Sequence, residues 1–523
     1  MRLFATIAGL RRYLELHRTG EQHSTNPAAS VLPSSSLTPT VGFVPTMGAL
    51  HTGHLSLIQR ARQENAIVVV SIFVNPLQFG PNEDFSRYPR TLEQDQALCE
   101  QVGVDVIFAP TPQELYGNLP MSDAVTQVIP PSAMMAGLCG RYRPGHFSGV
   151  TTVVSKLFNI VQPDRAYFGQ KDAQQLAILK RMVADLNLPI EVVGCPIVRE
   201  PDGLALSSRN RYLSVEERLQ ATVLYRGLKQ AEQVFQDGKR LREELIEAVK
   251  AEFALVPTVK PQYIELVHPD TMVPLEQIED TGLLAVAAYL GSTRLIDNIV
   301  LQQRKPILAI DGPAGAGKST VARRVAEELG LLYLDTGAMY RAVTWLALTS
   351  GIALEDEAAI AEMVSQAEIG LESAGTGIKV WINGQDITQE IRSLEVTAHV
   401  STIAAQASVR QNLVKQQQAY GRKGGIVMDG RDIGTHVFPD AELKIFLTAS
   451  VSERARRRQQ DLYQQGQPTV SLASLEQAIY ERDQKDSTRR VSPLRQATDA
   501  IEIQTDNLSV DEVVAKIIRL YQE

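Results

Sequence analysis

Residues 312–319 read Gly-Pro-Ala-Gly-Ala-Gly-Lys-Ser, a glycine-rich loop with the spacing that cradles phosphates. The glycines let backbone N–H groups turn inward around an anion. Lys318 is spaced to reach the β- and γ-phosphates, and the Ser319 hydroxyl to hold a nucleotide-borne Mg²⁺. Gly312, Gly315, Gly317, Lys318, Ser319 and Thr320 are therefore candidate ATP-binding residues, with Lys318 also a catalytic candidate. The apolar run Ile307–Ile310 precedes the loop, and Val321, Val325 and Leu329 share one face of the helical pattern after it. That strand–loop–helix context is what the pattern needs in order to mean phosphate binding. Far upstream, His51 and His54 sit in Pro45-Thr-Met-Gly-Ala-Leu-His-Thr-Gly-His54. At i and i+3 beside a helix N-terminus, both imidazoles can face one anion, with the helix dipole in support. Alone, His-x-Gly-His leaves two readings open, an anion site or two unrelated histidines. A phosphate loop normally opens its domain, so the roughly 300 residues before it must do something else, and two enzymes in one chain is the expected organisation.

The elements that must position these residues follow from hydropathic pattern. Val41–Val44 reads as a strand, Leu55–Glu64 as a helix, and Ala66–Val74 as a buried parallel strand of β-branched residues. Leu92–Val102 reads as a helix, Val104–Phe108 as a strand, and Ala166–Phe168 as a short strand between helices Val150–Val161 and Ala173–Leu186. This alternation predicts a doubly wound α/β sheet, which binds ligands at the carboxyl ends of its strands. Residues 215–256 are helical by pattern, and Tyr263–Val267 and Leu283–Tyr289 read as strands. The expected domains are 1–190, a smaller α+β domain 191–300, and 304–523, with the polar stretch Leu301–Lys305 as the boundary before the second enzyme. Residues 18–40 form a polar run read as an exposed or disordered insertion.

With 523 residues the chain is too long for one core. Its net charge of −8 argues against a general nucleic-acid or membrane-surface binder, while leaving room for local basic pockets. The three cysteines, Cys99, Cys139 and Cys195, are far apart and odd in number, which suggests neither a disulfide framework nor a zinc site and fits a reducing cytoplasm. The N-terminal apolar run is too short for a signal peptide, and no apolar stretch approaches a membrane span.

Further segments add to the histidine pair: Val74-Asn-Pro-Leu-Gln-Phe79, Arg143-Pro-Gly-His-Phe147, Phe168-Gly-Gln-Lys-Asp-Ala-Gln-Gln175, Leu206-Ser-Ser-Arg-Asn210 and Thr293-Arg-Leu-Ile-Asp297. On these, about residues 1–300 resemble pantothenate synthetase, a Rossmann-like nucleotidyltransferase with the His-x-Gly-His signature. The resemblance implies activation of pantoate by ATP to a pantoyl adenylate, then attack by β-alanine to give pantothenate and AMP. It places Met47, Gly48, Ala49, Leu50, His51, Thr52, Gly53 and His54 along ATP, with His54 as proton donor. Gly169, Gln170, Lys171 and Asp172 contact the nucleotide, and Val198, Leu206, Ser207, Ser208 and Arg209 complete the ATP site. Gln78 and Gln175 hold pantoate, with Gln78 also near β-alanine; being neutral, they orient a hydroxy acid without adding charge. His51, His54, Lys171, Arg209 and Mg²⁺ would supply compensating cations for the leaving pyrophosphate. Glu83 and Asp84 are weak metal candidates. Relatives suggest a homodimer through this half.

In the second half, Leu334-Asp-Thr-Gly-Ala-Met-Tyr-Arg341, Val427-Met-Asp-Gly-Arg-Asp-Ile-Gly-Thr435, the strand Leu443–Leu447 and Glu481-Arg-Asp-Gln-Lys-Asp-Ser-Thr-Arg489 resemble bacterial cytidylate kinase, a P-loop nucleoside monophosphate kinase, over residues 304–523. The resemblance implies transfer of the ATP γ-phosphate to CMP or dCMP. Thr336, Tyr340, Arg341, Ser401, Arg410, Arg431, Asp432, Asp486 and Arg489 would contact CMP. Arg410 and Arg431 suit the monophosphate, and Arg482, Asp486 and Arg489 a lid over the phosphates, with Arg482 catalytic. Thr336 stands where many relatives carry Ser. Residues 365–395 would be the insertion typical of this family, and Arg454–Arg458 reads as a solvated helix near the lid. Trp345 and Trp381 are read as packing residues.

The substrates expected are thus ATP, pantoate, β-alanine and CMP or dCMP, with Mg²⁺ accompanying ATP and no nucleic-acid or membrane partner. The rival reading keeps the folds but changes substrates: another His-x-Gly-His adenylyltransferase or ligase joined to a UMP or AMP kinase. A scaffold with one dead half is opposed by the presence of every key residue, and a nucleic-acid-stimulated ATPase by the acidic total.

Overall fold

The computed structural model describes residues 1–19, 39–81, 83–118, 125–374, 377–464, 470–489 and 491–522. The chain divides into two compact units, Met1–Gln303 and Arg304–Glu523. The polar run predicted as an insertion lies, for residues 20–38, outside the described residues.

The first unit is built on six parallel strands, β1 (Arg2–Phe4), β2 (Val41–Thr46), β3 (Ile67–Ile72), β4 (Val106–Phe108), β5 (Arg165–Gly169) and β6 (Glu191–Cys195), in the order β1-β4-β3-β2-β5-β6. The run of β-branched residues in β3 is buried on both faces, with helices covering each side. Val69 packs with Phe43, Phe108 and the helix His146–Val161, whereas Val68 and Val70 pack with Leu57, Ile58 and Ala61 of the helix Thr52–Glu64. Strand order reverses direction beside β2, so the loops after β2 and β5 open onto one crevice. Three antiparallel strands follow, β7 (Lys260–Val267), β8 (Thr281–Leu290) and β9 (Thr293–Gln302). One face of this small sheet buries Leu266, Leu284 and Val286 against the helices Val223–Gln236 and Arg242–Ala254, and the other turns Val267, Leu283 and Ala287 toward Leu138, Phe147 and Ile178.

The second unit carries β10 (Lys305–Asp311), β11 (Leu332–Asp335), the antiparallel trio β12 (Ile369–Ala374), β13 (Gly377–Ile382) and β14 (Gln385–Asp386), then β15 (Gly424–Gly430), β16 (Leu443–Thr448) and β17 (Ile501–Gln504). Its five-stranded sheet is parallel throughout, in the order β11-β15-β10-β16-β17, and the helix Lys318–Leu329 packs Val321 and Val325 against it.

Two sequence expectations need correction, the boundary at 190 and the helix start at Val150. The boundary drawn at 190 cuts off β6, which pairs with β5 and belongs to the first sheet. The boundary expected within 301–305 falls between Gln303 and Arg304, with β9 running to Gln302 and β10 starting at Lys305. The helix read from Val150 begins at His146, its N-cap Gly145 adopting a left-handed φ of 80°. Among the described residues no helix is long and apolar enough to cross a membrane.

Candidate active sites

In the first unit, the end of β2 turns through Gly48 and Ala49, both at positive φ (79° and 51°), into the helix Thr52–Glu64. Asp95 makes this turn possible. Its carboxylate, 1 % exposed, accepts the backbone N–H groups of Ala49 and Leu50 at 2.9 and 2.8 Å. His51 caps the helix, its Nδ1 accepting the Gly53 N–H at 3.1 Å, which leaves the neutral ring's proton on Nε2. The His51 and His54 ring centroids are 4.1 Å apart, and His54 Nδ1 is shut away from solvent without a hydrogen-bond partner. Burial, followed by the charges of Lys171 and Arg211, pushes His51 down to about 4; burial, His51 and Lys171 push His54 to about 3. The histidines counted from sequence among the cations are therefore neutral in the free protein at pH 7.

These side chains face a cavity of about 240 Å³ that Met47, Gln78, Lys171, Gln175, Val198 and Arg209 also line. Gly53, Gly169, Asp172, Leu206, Ser207 and Ser208 share its wall, while Gly48, Ala49, Leu50, Thr52 and Gln170 do not. The first three are buried, Ala49 and Leu50 held by Asp95 and Gly48 by the Thr46 hydroxyl, and Thr52 and Gln170 face solvent. The Ser208 hydroxyl donates to the Ala49 carbonyl at 3.1 Å, tying the Ser-Ser-Arg segment to the histidine turn. Gln78 is fixed at both ends: its Nε2 lies 3.1 Å from Met47 Sδ, and its main-chain carbonyl accepts His146 Nδ1–H at 2.8 Å. His146 thus sets the Gln78 turn. Arg209 donates to both Asp84 oxygens at 3.1 and 3.0 Å, and Arg143 forks onto Glu83 at 2.6 and 2.6 Å. The two acids weighed as metal ligands are instead counter-ions of arginines, which hold both carboxyls below their usual range against the opposing effect of burial. Asn298 Nδ2 donates to the Gln170 and Lys171 carbonyls at 3.0 and 2.9 Å, so β9 fixes the loop that carries Lys171.

In the second unit the phosphate loop, β11, β15 and the helix Leu472–Thr488 surround a cavity of about 920 Å³. Gly315, Gly317, Lys318, Ser319 and Thr320 line it. Gly312 does not; at φ 146° it lets the loop approach β16 so closely that a Cβ would lie 2.0 Å from the Leu447 carbonyl oxygen. Lys318 Nζ donates to the Pro313 carbonyl at 2.7 Å, and burial with Arg431 drives its pKa well down. Ser319 donates to Asp429 Oδ2 at 2.7 Å, while the Tyr333 hydroxyl donates to Oδ1 at 2.9 Å. Asp429, which the sequence quoted only inside a motif, therefore adds a carboxylate beside the Ser319 hydroxyl. Together they form the hard oxygen donor set that suits Mg²⁺ held jointly with nucleotide phosphates. Among the described residues no cluster of three or more metal-ligating side chains exists.

All nine residues expected at the monophosphate line this same cavity. Thr336 donates to the Asp429 carbonyl at 2.7 Å, so its hydroxyl is a structural tie. Arg410, 1 % exposed, pairs with Asp432 Oδ2, and Arg489 stands 3.8 Å from Oδ1. Arg431 Nε donates to Asp486 at 3.0 Å, and Arg482 Nε is buried without a partner. The cluster read as a solvated helix departs from expectation. Arg454 is 4 % exposed and spans the Ala314 carbonyl at 3.2 Å and Asp483 at 2.7 Å, and Arg457 holds Thr505; both line the cavity. The basic run was legible, but its inward face was not.

A family model described as pantoate-beta-alanine ligase matches residues 21–300, and one described as cytidylate kinase matches residues 308–523. The bifunctional pantoate ligase/cytidylate kinase of Trichormus variabilis is 62 % identical over 100 % of this chain and 99 % of its own length. The chain belongs to this bifunctional pantoate ligase/cytidylate kinase family. The protein of the same description from Trichodesmium erythraeum is 56 % identical, covering 100 % of this chain and 98 % of that one. For the ligase half alone, the crystal structure of pantothenate synthetase from Thermus thermophilus is 47 % identical with a TM-score of 0.50, covering 57 % of this chain and 99 % of that one. The rival combination of another adenylyltransferase with a UMP or AMP kinase is not favoured.

Proposed function

We propose that the ligase half joins pantoate to β-alanine at the cost of ATP, and that the kinase half phosphorylates CMP or dCMP. Pantoate's carboxylate attacks the α-phosphorus, and pyrophosphate leaves. The neutral amine of β-alanine then attacks the acyl carbon of pantoyl adenylate; AMP leaves with the bonding electrons, and the amine sheds a proton. The observation that carries the ligase reading is the single crevice where His51, His54, Lys171 and Arg209 face Gln78 and Gln175. Gln78 is oriented by Met47, Asn75 and His146 rather than by solvent, which suits selection of a small hydroxy acid. His51 and His54, neutral when free, donate hydrogen bonds to the triphosphate and gain protons only as its charge arrives. Lys171 and Arg209 supply fixed cations for the departing pyrophosphate.

In the kinase half, Lys318 and the phosphate loop hold ATP, and Arg341, Arg410, Arg431 and Arg489 hold the monophosphate, with Asp432 set to accept from cytosine or sugar. Arg482 has an unpaired guanidinium nitrogen and lines the space between, where transferring phosphoryl charge develops. Mg²⁺ bound with ATP would lie at Ser319 and Asp429 and supply charge neutralisation there. Both halves are read as working in the cytoplasm on small molecules, the ligase half as a homodimer.

The test is one preparation of the full chain with Mg-ATP. AMP formation must require pantoate and β-alanine together, and ADP formation must favour CMP over UMP and AMP. Absence of the first response with the second intact overturns the ligase assignment alone.

A further inference from the structure

Asp311 ends β10 and is bonded directly to Gly312, where the phosphate loop begins. It is 4 % exposed, and its two carboxylate oxygens accept the backbone N–H groups of Ile433 and Gly434 at 2.8 and 2.7 Å. These two amides follow Asp432 and open the five-residue turn Ile433–Val437. Asp432 is the carboxylate that Arg410 pairs with and Arg489 faces across the acceptor side of the cavity. Asp311 itself does not line that cavity. The charges that face it are Asp432 and Lys318, and the aliphatic stem of Lys444 packs on Gly434 beside it. Burial lifts its carboxyl to about 6 in spite of the two amides, so keeping a carboxylate here opposes a substantial desolvation penalty.

We propose that Asp311 is a positioning residue for the acceptor: it clasps the backbone behind Asp432 and so fixes the acceptor carboxylate relative to the phosphate loop. The proposal rests on the CMP reading of Asp432 given above. The physical reason is alignment. One covalent bond separates the clasp from the donor cradle, and two short hydrogen bonds tie it to the backbone that carries the acceptor carboxylate. In-line transfer depends on that relation being held within a fraction of an ångström. A merely apolar side chain would fill the space, but it would leave two buried amides unpaired and Asp432 free to rotate away.

The test is steady-state kinase kinetics on the full chain, with the ligase activity of the same preparation reporting the amount of folded first unit. Asp311→Asn keeps the shape and one oxygen acceptor but faces the second amide with an NH₂ group. It is expected to raise KM for CMP by about tenfold and lower kcat by about tenfold, with KM for ATP within about twofold. Asp311→Ala should show the same split more strongly; if it fails to fold, the Asn variant still decides. In an Asp432→Ala background, Asp311→Asn should add almost nothing to KM for CMP, because its effect passes through Asp432. Equal rises in both KM values, or additive effects in the double variant, overturn the proposal. If Asp432→Ala alone leaves KM for CMP unchanged, the CMP reading of Asp432 fails instead, and the two failures are distinguishable.

Discussion

Asp84 holds Arg209 by both of its oxygens, so the arginine that faces the ligase crevice is paired and oriented, still charged, by a residue well before it in sequence. A bidentate grip fixes the plane of the guanidinium as well as its charge. Arg209→Ala should lower ligase kcat/KM by about 10²–10³ if it meets charge that develops in the transition state. Asp84→Asn should cost only about tenfold, since one oxygen still accepts. Initial rates of AMP release, with CMP phosphorylation measured in parallel and expected to be unchanged, check both.

The two units should fail independently. His54→Ala is expected to cut ligase turnover about 10²-fold or more and Lys318→Ala kinase turnover by about 10²–10³, each sparing the other activity. A single preparation assayed for both reactions reads the result directly, and simultaneous loss in either variant would contradict it.

His51 and His54 make the ligase half acid-sensitive in a definite direction. Burial holds them near 4 and 3, whereas an exposed histidine titrates near 6.5. Below about pH 6.5 the unfolded chain takes up protons that the fold refuses. Their contribution to stability is therefore complete above that value and falls as pH drops toward 4 and then 3. Thermal melts of the first unit's transition between about pH 7.5 and about pH 4.5 should show this slope, and His54→Gln should flatten it.

Gly149 has no room for a side chain: a Cβ there would lie 2.3 Å from the Leu77 carbonyl oxygen and 2.7 Å from the Gln78 nitrogen. Gly149→Ala must push back the turn that presents Gln78, costing about 1–3 kcal/mol of stability. KM for pantoate should rise while kinase kinetics stay put. Denaturant melts and a pantoate titration check the two effects.

Much of this was legible beforehand, for reasons the elements themselves display. Ile67–Ile72 could only be a two-sided buried strand, and the phosphate loop declared its own strand and helix. What stayed hidden were short or mixed elements. β1 has three residues and gains its place only by pairing with β4, and β9 sets the apolar pairs Leu295–Ile296 and Ile299–Val300 around Asp297 and Asn298, so no period of two shows along it. The supporting residues were hidden for a related reason. Asp95 and Asn298 act on backbone amides and carbonyls far away in sequence, a contact that leaves no periodicity or spacing behind. The arginines of the helix Val451–Gln464 announced a basic surface, yet which way they face is decided by the phosphate loop and Asp483 packed against them.

The peptide bond between Gln303 and Arg304 is claimed from both sides. Gln303 is held by the Asp280 carbonyl and Arg240, while Arg304 is committed to Asp440 and Glu442. The seam between two catalysts therefore contains no spare chain. A kinase half expressed alone keeps its first ion pairs only if it starts at or before Arg304. Removing Gln303 or Arg304 takes away a contact that its own unit makes there.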